Sequence, residues 1–105
     1  MSQEKKQVRA AFRSAVFQRD NFRCKICGFT SNPAQAEQEL DAHHITNRDE
    51  FKNGGYVKQN GITLCKGGKE SCHYKAEEGQ ISPDELYRRI GSSRELAIQA
   101  DRKMD

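Results

Sequence analysis

The sequence lacks tryptophan and holds little of the apolar material from which a small core is built. Leu, Ile, Val and Phe occupy 18 of the 105 positions. A fraction below about 20% signals disorder only when the net charge is also large, and here the net charge is +3. The composition therefore predicts one folded domain, residues 1–105, whose core needs support from a metal, disulfides or a partner.

Long apolar runs are also absent. No stretch approaches the roughly 18 residues that span a bilayer, so no membrane partner is expected. The N-terminal residues Met1–Lys6 lead into no apolar segment, which predicts no secretory signal and a cytoplasmic protein. In that compartment the four cysteines are expected to be thiols or metal ligands rather than disulfides.

The net charge of the chain is small, but its charged residues are unevenly distributed. Residues 1–30 carry a net charge of +5 and residues 51–76 carry +4, whereas residues 31–50 carry −4 and residues 77–105 carry −2. The two basic blocks could form one cationic surface for a polyanion such as nucleic acid. The alternative is that they are ordinary solvated faces.

The pattern of apolar and turn-forming residues predicts an α+β chain. Helices are expected at about 5–19, at about 71–78, and as one or two helices within 82–103. Short strands are expected at 40–45 and 62–64, and loops at 29–38 and 46–59. Ser82, Pro83 and Glu85 form a capping-box start for the C-terminal helices, and Gly91–Ser93 can divide them.

Four cysteines form two pairs along the chain. Two residues separate Cys24 from Cys27, and six separate Cys65 from Cys72. Such pairs are typical of a structural Zn²⁺ site with four thiolate ligands. The second spacing is longer than usual, but Gly67 and Gly68 allow the intervening residues to loop out. The alternatives are a thiol redox motif, which no βαβ pattern supports, or unrelated buried cysteines.

All three histidines lie near these cysteines. Adjacent side chains on a strand face opposite sides, so His43 and His44 are expected to differ in role, one holding a metal and the other facing a substrate. His73 directly follows Cys72, and a metal bound there would fix its position.

Together these segments resemble the HNH nucleases, which have a ββα-metal (His-Me finger) fold. The resemblance spans about 13–77, within an expected nuclease core of about 13–79. It includes the Arg19-Asp20 lead-in to Cys24-x2-Cys27, Leu40–Ile45, Gly54-Gly55, Asn60–Cys65 and Cys72-His73-x-Lys75. It departs from the family in the six residues between Cys65 and Cys72, where two are usual. The extension 82–103 lies outside it, and either packs on the core or mediates dimerisation.

The resemblance implies a role for each motif residue. His44 matches the general base, His43 and His73 match ligands of a single catalytic divalent ion, and Asn60 matches the residue that holds the base in orientation. Glu77, four residues after His73, is a candidate third ligand, with a solvated helix-terminal charge as the alternative. The ion would be Mg²⁺, Mn²⁺, Ni²⁺ or Zn²⁺, and the products would carry 5′-phosphate and 3′-hydroxyl ends.

The expected function is metal-dependent hydrolysis of DNA phosphodiester bonds, by nicking or double-strand cleavage. The expected partner is DNA, with a homodimer or a larger phage or restriction assembly as further options for a bacterial or phage-encoded protein. The alternative function is a non-catalytic zinc-ribbon-like module that binds DNA or protein. The candidate contacts to DNA phosphates are Arg9, Arg13, Arg19, Arg23, Arg48, Lys52 and Lys58.

Overall fold

The computed structural model describes residues 3–104 of the chain. Met1, Ser2 and Asp105 belong to the predicted domain but lie outside the described residues. Met1 and Ser2 also belong to the N-terminal segment for which no secretory signal is predicted. It has an α+β fold with a two-stranded antiparallel sheet and five helices. The helices are α1 (Gln3–Arg19), α2 (Ala36–Glu39), α3 (Cys72–Glu77), α4 (Pro83–Arg89) and α5 (Arg94–Arg102), and the strands are β1 (Leu40–His44) and β2 (Gly61–Cys65).

The sheet is a hairpin with a long connecting loop. Leu40 pairs with Cys65 at one end of the hairpin, and His44 pairs with Gly61 at the other. The loop between the strands contains two short 3₁₀ turns, Arg48–Glu50 and Lys58–Asn60, and is otherwise irregular, as the sequence predicted. This register places the two histidines of β1 at the end of the hairpin that the loop closes.

Helix α1 packs across one face of the hairpin. A Cβ on Gly61 would lie 2.5 Å from Val16 and 2.7 Å from Phe12, so only glycine permits this approach of helix and strand. The Thr63 hydroxyl donates a hydrogen bond to the carbonyl of Val16. Leu40 joins Phe17 in a small buried cluster on this face.

The prediction of a loop over 29–38 is wrong for its last residues, because the single-turn helix α2 begins at Ala36. Ala36 is buried against Phe17 and Leu40. This packing stabilises a helical turn that the polar local sequence does not predict. The C-terminal segment does form two helices, and Gly91, with φ of +68°, lies in the break between them. Ser82 and Ser93 accept the backbone N–H bonds that cap these helices.

The main core is completed by the C-terminal helices. Leu86, Tyr87 and Ala97 pack with Ile62 and Leu64 of β2, so the extension 82–103 lies on the core. Cys24 and Cys72 belong to the same buried cluster. Within residues 3–104 no helix is long and apolar enough to cross a bilayer.

Candidate metal centres and active site

The first cysteine pair lies on a tight knuckle after α1. The Cys24 N–H donates to the carbonyl of Phe29 at 2.7 Å, and the Gly28 N–H donates to the carbonyl of Cys24 at 3.0 Å. Gly28 has φ of +86°, the left-handed conformation expected of glycine in such a turn. The Lys25 N–H donates to the carbonyl of Thr63 at 3.0 Å, which docks the knuckle on β2.

The second pair is brought together by a loop that contains Gly67 and Gly68, both with positive φ. The Cys72 N–H donates to the Cys65 Sγ at 3.3 Å, so the long spacing still places both sulfurs side by side. Ser71 caps α3 by accepting the N–H of Tyr74, and this cap fixes the start of the helix that carries Cys72.

The four cysteines lie close enough to hold a metal ion. Their Sγ atoms lie within 4.8 Å of one another, and the Cys27 and Cys65 sulfurs are 3.8 Å apart. Metal–sulfur bonds of about 2.3 Å in a tetrahedral site require sulfur separations of about 3.8 Å. All four are free thiols rather than disulfides, so the donor set fits a structural cation.

The electrostatics of this cluster favour a cation at its centre. Burial opposes ionisation of Cys24, but backbone hydrogen bonds from Cys27, Cys65 and Ile26 lower its pKa to about 7. Burial raises the pKa of Cys72, and the neighbouring Cys24 sulfur raises it further. Four thiolates in one place repel each other unless a positive ion neutralises them.

A second cluster of metal-binding side chains lies between β1 and α3. One ligand atom each from Asp41, His43 and His73 lies within 4.8 Å of the others. Asp41 and His43 are two residues apart on β1 and therefore share a face of the strand. The His73 Nε2 lies 3.2 Å from the Asp41 Oδ2. Two imidazoles and a carboxylate suit a divalent cation and leave coordination positions open.

Glu77 lies at the edge of this second cluster. Its Oε2 is 3.5 Å from the His43 Nδ1 and 3.8 Å from the His73 Nε2, so Glu77 lies beside both histidines. Asp41 was missed as a candidate ligand, although its spacing of two from His43 was a signal for it. Burial and the neighbouring His73 lower the pKa of His43, against the opposing charges of Glu77 and Asp41.

His44 faces the opposite side of β1 from His43. Its ring packs against Phe12, with centroids 4.5 Å apart, and against Tyr56, with centroids 4.8 Å apart. Burial, together with the charges of Arg48 and His43, lowers the pKa of His44 to about 4, although a backbone hydrogen bond to Gly54 opposes this. The ring is therefore neutral near pH 7. Its Nε2 atom is buried and has no hydrogen-bond partner among the described residues.

Two adjoining clefts meet at His44. The larger, about 470 Å³, is lined by the second metal-binding cluster, including His43, His73 and Glu77. The smaller, about 230 Å³, is lined by aromatic and cationic side chains. His44 and Arg48 line both, so one imidazole borders a site rich in metal ligands and a site rich in positive charge.

Three of the predicted phosphate-contacting residues line the smaller cleft: Arg9, Arg13 and Arg48. Arg48 donates to the Tyr56 hydroxyl at 3.0 Å. Burial favours the neutral phenol, but the hydrogen bonds from Arg48 and Arg9 lower the pKa of Tyr56. Tyr56 thus holds two guanidinium groups beside His44.

The other predicted phosphate-contacting residues are placed differently. Arg19 makes two hydrogen bonds to the Asp20 carboxylate and donates to the carbonyls of Lys58 and Gly61. Its guanidinium therefore ties the end of α1 to the hairpin. Arg23, Lys52 and Lys58 are exposed and line neither of the two clefts at His44.

Asn60 is fully buried at the base of the long loop. Its Oδ1 accepts hydrogen bonds from the Thr46 N–H at 3.0 Å and from the Tyr87 hydroxyl at 2.7 Å. Its Nδ2 donates to the carbonyls of Thr46 and Gly55. The side chain thus fixes both ends of the loop that follows His44.

Sequence reasoning missed a second anchor of this loop, Asp101 on α5. Asp101 is 1% exposed and accepts the N–H groups of Asn53 and Gly55 at 2.9 and 2.8 Å. An aspartate on a polar helix gives no local signal of such a role.

Comparison of the chain with protein-family models, with curated proteins and with solved structures finds no match.

Proposed function

We propose that the chain is a metal-dependent DNA endonuclease of the HNH type, in which β1, β2 and α3 form the ββα-metal unit. The observation that carries the proposal is the position of His44. Its ring borders both a cluster of potential cation ligands and a cleft lined by arginines. Phosphodiester hydrolysis needs these three components in one place.

In this proposal His44 is the general base. An imidazole with a pKa of about 4 is neutral at physiological pH, so a nitrogen of the ring can take a proton from a water molecule that attacks the phosphorus. The Phe12 and Tyr56 rings both pack against the imidazole and against each other, which limits how the imidazole can turn. General-base catalysis of this kind contributes about 10²- to 10⁴-fold in rate.

Asp41, His43 and His73 would hold the catalytic cation, with Glu77 at the edge of the site. A divalent ion held there would supply Lewis acidity to the scissile phosphate and stabilise the leaving oxygen. The two carboxylates match the preference of Mg²⁺ and Mn²⁺ for oxygen ligands, and the two imidazoles match Ni²⁺ or Zn²⁺. Three protein ligands leave room for phosphate oxygens.

Arg9, Arg13 and Arg48 would hold the DNA backbone on the other side of His44. Guanidinium groups bind phosphate oxygens in a forked geometry, and such contacts position a duplex without reading its sequence. Tyr56 keeps two of these groups beside the base. The proposal therefore assigns this cleft to phosphate groups of the bound strand.

The four cysteines would hold a structural zinc ion. Cys24 and Cys72 are part of the buried core, so the ion would support a core that has few large apolar residues. Zinc binding by four thiolates can contribute on the order of 10 kcal/mol to folding, comparable with the whole net stability of a small domain.

The competing function is a zinc-supported module that binds DNA or protein without catalysis. It is favoured by the completeness of the cysteine cluster, which needs no second metal to stabilise the fold. The module has no use for the Asp41, His43 and His73 cluster, which is the feature that separates the two functions.

Plasmid nicking by the purified chain tests the proposal. Supercoiled DNA is incubated with the zinc-loaded protein and Mg²⁺, Mn²⁺ or Ni²⁺, and the conversion to open-circular or linear DNA is followed. We expect conversion with at least one of these ions and none in excess EDTA. DNA binding without conversion under every ion would instead establish the module.

A further inference from the structure

The four cysteines of the first cluster differ in their access to solvent. Cys24 and Cys72 are buried, with 1% and 4% of their surface exposed. Cys27 is exposed, and Cys65 is partly exposed. These two accessible residues line a third cleft, of about 470 Å³, which neither Cys24 nor Cys72 lines. A small molecule in the solvent can therefore reach one pair of sulfurs while the other pair is shielded.

The two accessible sulfurs are also in contact with each other. The Sγ atoms of Cys27 and Cys65 are 3.8 Å apart, and a disulfide of about 2.05 Å would require them to approach by about 1.8 Å. Gly28, directly after Cys27, has φ of +86°, and a Cβ built on it would meet nothing within 4 Å. The same holds for Gly67, two residues after Cys65. The chain beside each sulfur is thus unpacked where a shift is needed.

Binding of a cation keeps cysteine sulfurs in the form that oxidants attack. A cysteine that binds a metal ion is deprotonated, and the thiolate is the reactive form of the side chain. In a loaded site all four sulfurs would be thiolates, so exposure decides which of them reacts first. Cys27 is the exposed residue of the cluster, and Cys65 offers the accessible sulfur in contact with it.

We propose that Cys27 and Cys65 form a site of oxidation by hydrogen peroxide, at which disulfide formation displaces the structural zinc ion. The Cys27 sulfur attacks one peroxide oxygen, the O–O bond breaks, and a sulfenic acid and a hydroxide ion form. The Cys65 sulfur then attacks the Cys27 sulfur and expels a second hydroxide ion, which leaves the disulfide. The two sulfurs lose two electrons in total, and one peroxide molecule accepts them.

The disulfide removes two of the four sulfur ligands, and the two cysteines that remain cannot complete a tetrahedral site. The change also reaches helix α3. The Cys72 N–H at the start of this helix donates to the Cys65 Sγ at 3.3 Å, and the next residue, His73, belongs to the second metal-binding cluster. The inference rests on the zinc site of the proposed function and is independent of DNA cleavage.

Peroxide treatment of the unaltered, zinc-loaded chain tests the inference. Hydrogen peroxide is added in less than equimolar amount, so that the first product is seen, and zinc release is followed with a chromogenic chelator. The remaining thiols are alkylated, and the disulfide is located by mass-spectrometric peptide mapping. We expect zinc release in step with a Cys27–Cys65 disulfide, with Cys24 and Cys72 alkylated. A first disulfide between any other pair would overturn the inference, as would zinc that stays bound in excess peroxide.

Cys27→His tests the exposed thiol by itself. The variant keeps a fourth ligand, since three cysteines and one histidine also form structural zinc sites. We expect peroxide to release its zinc at least about tenfold more slowly, because the remaining thiolates are less exposed. Gln38→His is the control, because it adds an imidazole to the same cleft without removing a thiol. Equal release rates in the two variants would overturn the inference.

The outcomes separate this inference from the proposed function. If Cys27→His takes up no zinc, the disulfide map of the unaltered chain still decides which sulfurs react. An unaltered chain that binds no zinc before peroxide is added would refute the structural zinc site and, with it, the displacement of the ion. If zinc leaves with the expected disulfide but the chain cuts no DNA, the nuclease proposal fails and the oxidation site stands.

Discussion

Asn60 and Thr46 are joined by two hydrogen bonds in opposite directions. The Thr46 N–H donates to the Asn60 Oδ1 at 3.0 Å, and the Asn60 Nδ2 donates to the Thr46 carbonyl at 3.1 Å. Thr46 lies at the start of the loop between β1 and β2, just after His44, and Asn60 lies at the end of this loop, just before β2. A side-chain amide can make such a pair because it has both a donor and an acceptor.

Asn60→Asp should destabilise the chain strongly despite its equal size. The carboxylate would place an oxygen against the carbonyls of Thr46 and Gly55, which both now accept from the Asn60 Nδ2. We expect a loss of about 2–3 kcal/mol in the free energy of unfolding, measured by urea titration, because buried groups lose their partners. Tyr87→Phe, which removes a hydroxyl bonded to Asn60 and to the Thr46 hydroxyl, should cost less, about 1 kcal/mol. Equal costs would contradict this view of Asn60.

Much of the fold could be predicted because its signals are local. Ser82, Pro83 and Gly91 mark the start and division of the C-terminal helices, and the structure has caps and a break at these places. The second hydrogen bond of the predicted capping box, from a backbone N–H to the Glu85 side chain, does not form among the described residues. The Glu85 carboxylate oxygens instead accept from Arg88 and Arg89. Helix α2 escaped prediction because it depends on burial of Ala36 by residues distant in sequence.

The candidate site could be predicted only in part. His43, His44 and His73 were singled out by their positions near the cysteines, and Asn60 by a resemblance whose motifs are short and ordered along the chain. Asp101 could not be identified, because it meets Gly55 across 46 residues of sequence. A buried aspartate and a solvated one look alike on a polar helix, and only tertiary packing separates them.

Cys24→Ser should remove one tightly bound zinc ion and unfold the chain. The serine oxygen cannot replace a thiolate in a tetrahedral site of four sulfurs, and loss of the ion removes on the order of 10 kcal/mol of folding free energy. Metal content by mass spectrometry and circular dichroism check both effects. His43→Ala, which lies in the other cluster, should retain the zinc and the fold. A folded Cys24→Ser chain without metal would disprove the structural zinc.

Asp41→Asn should weaken Mn²⁺ binding to the second cluster more than Glu77→Gln does. Asp41 groups closely with both histidines, whereas Glu77 is more exposed and lies at the edge. We expect losses in affinity of about tenfold or more for Asp41→Asn, comparable with those for disturbed metal ligands, measured by Mn²⁺ electron paramagnetic resonance on zinc-loaded protein. The reverse order would make Glu77 the principal carboxylate ligand.

Arg9→Gln should reduce the salt dependence of DNA binding. Each phosphate contact contributes about −0.9 to the slope of log affinity against log salt concentration on duplex DNA, so losing one should make the slope shallower by about that amount. Fluorescence anisotropy without a catalytic metal measures this without cleavage. Arg88→Gln is the control, because Arg88 pairs with Glu85 on α4 and should leave the slope unchanged. Identical slopes in both variants would remove Arg9 from the DNA interface.

The rate of plasmid nicking by His44→Ala, relative to the unaltered chain, tests the central claim most directly. Both proteins are zinc-loaded, shown to be folded, and assayed with the most effective divalent ion under single-turnover conditions. The proposed general base predicts a fall in rate of about 10²- to 10⁴-fold with zinc content and DNA affinity unchanged. A folded His44→Ala chain that nicks DNA as fast as the unaltered chain would contradict the account.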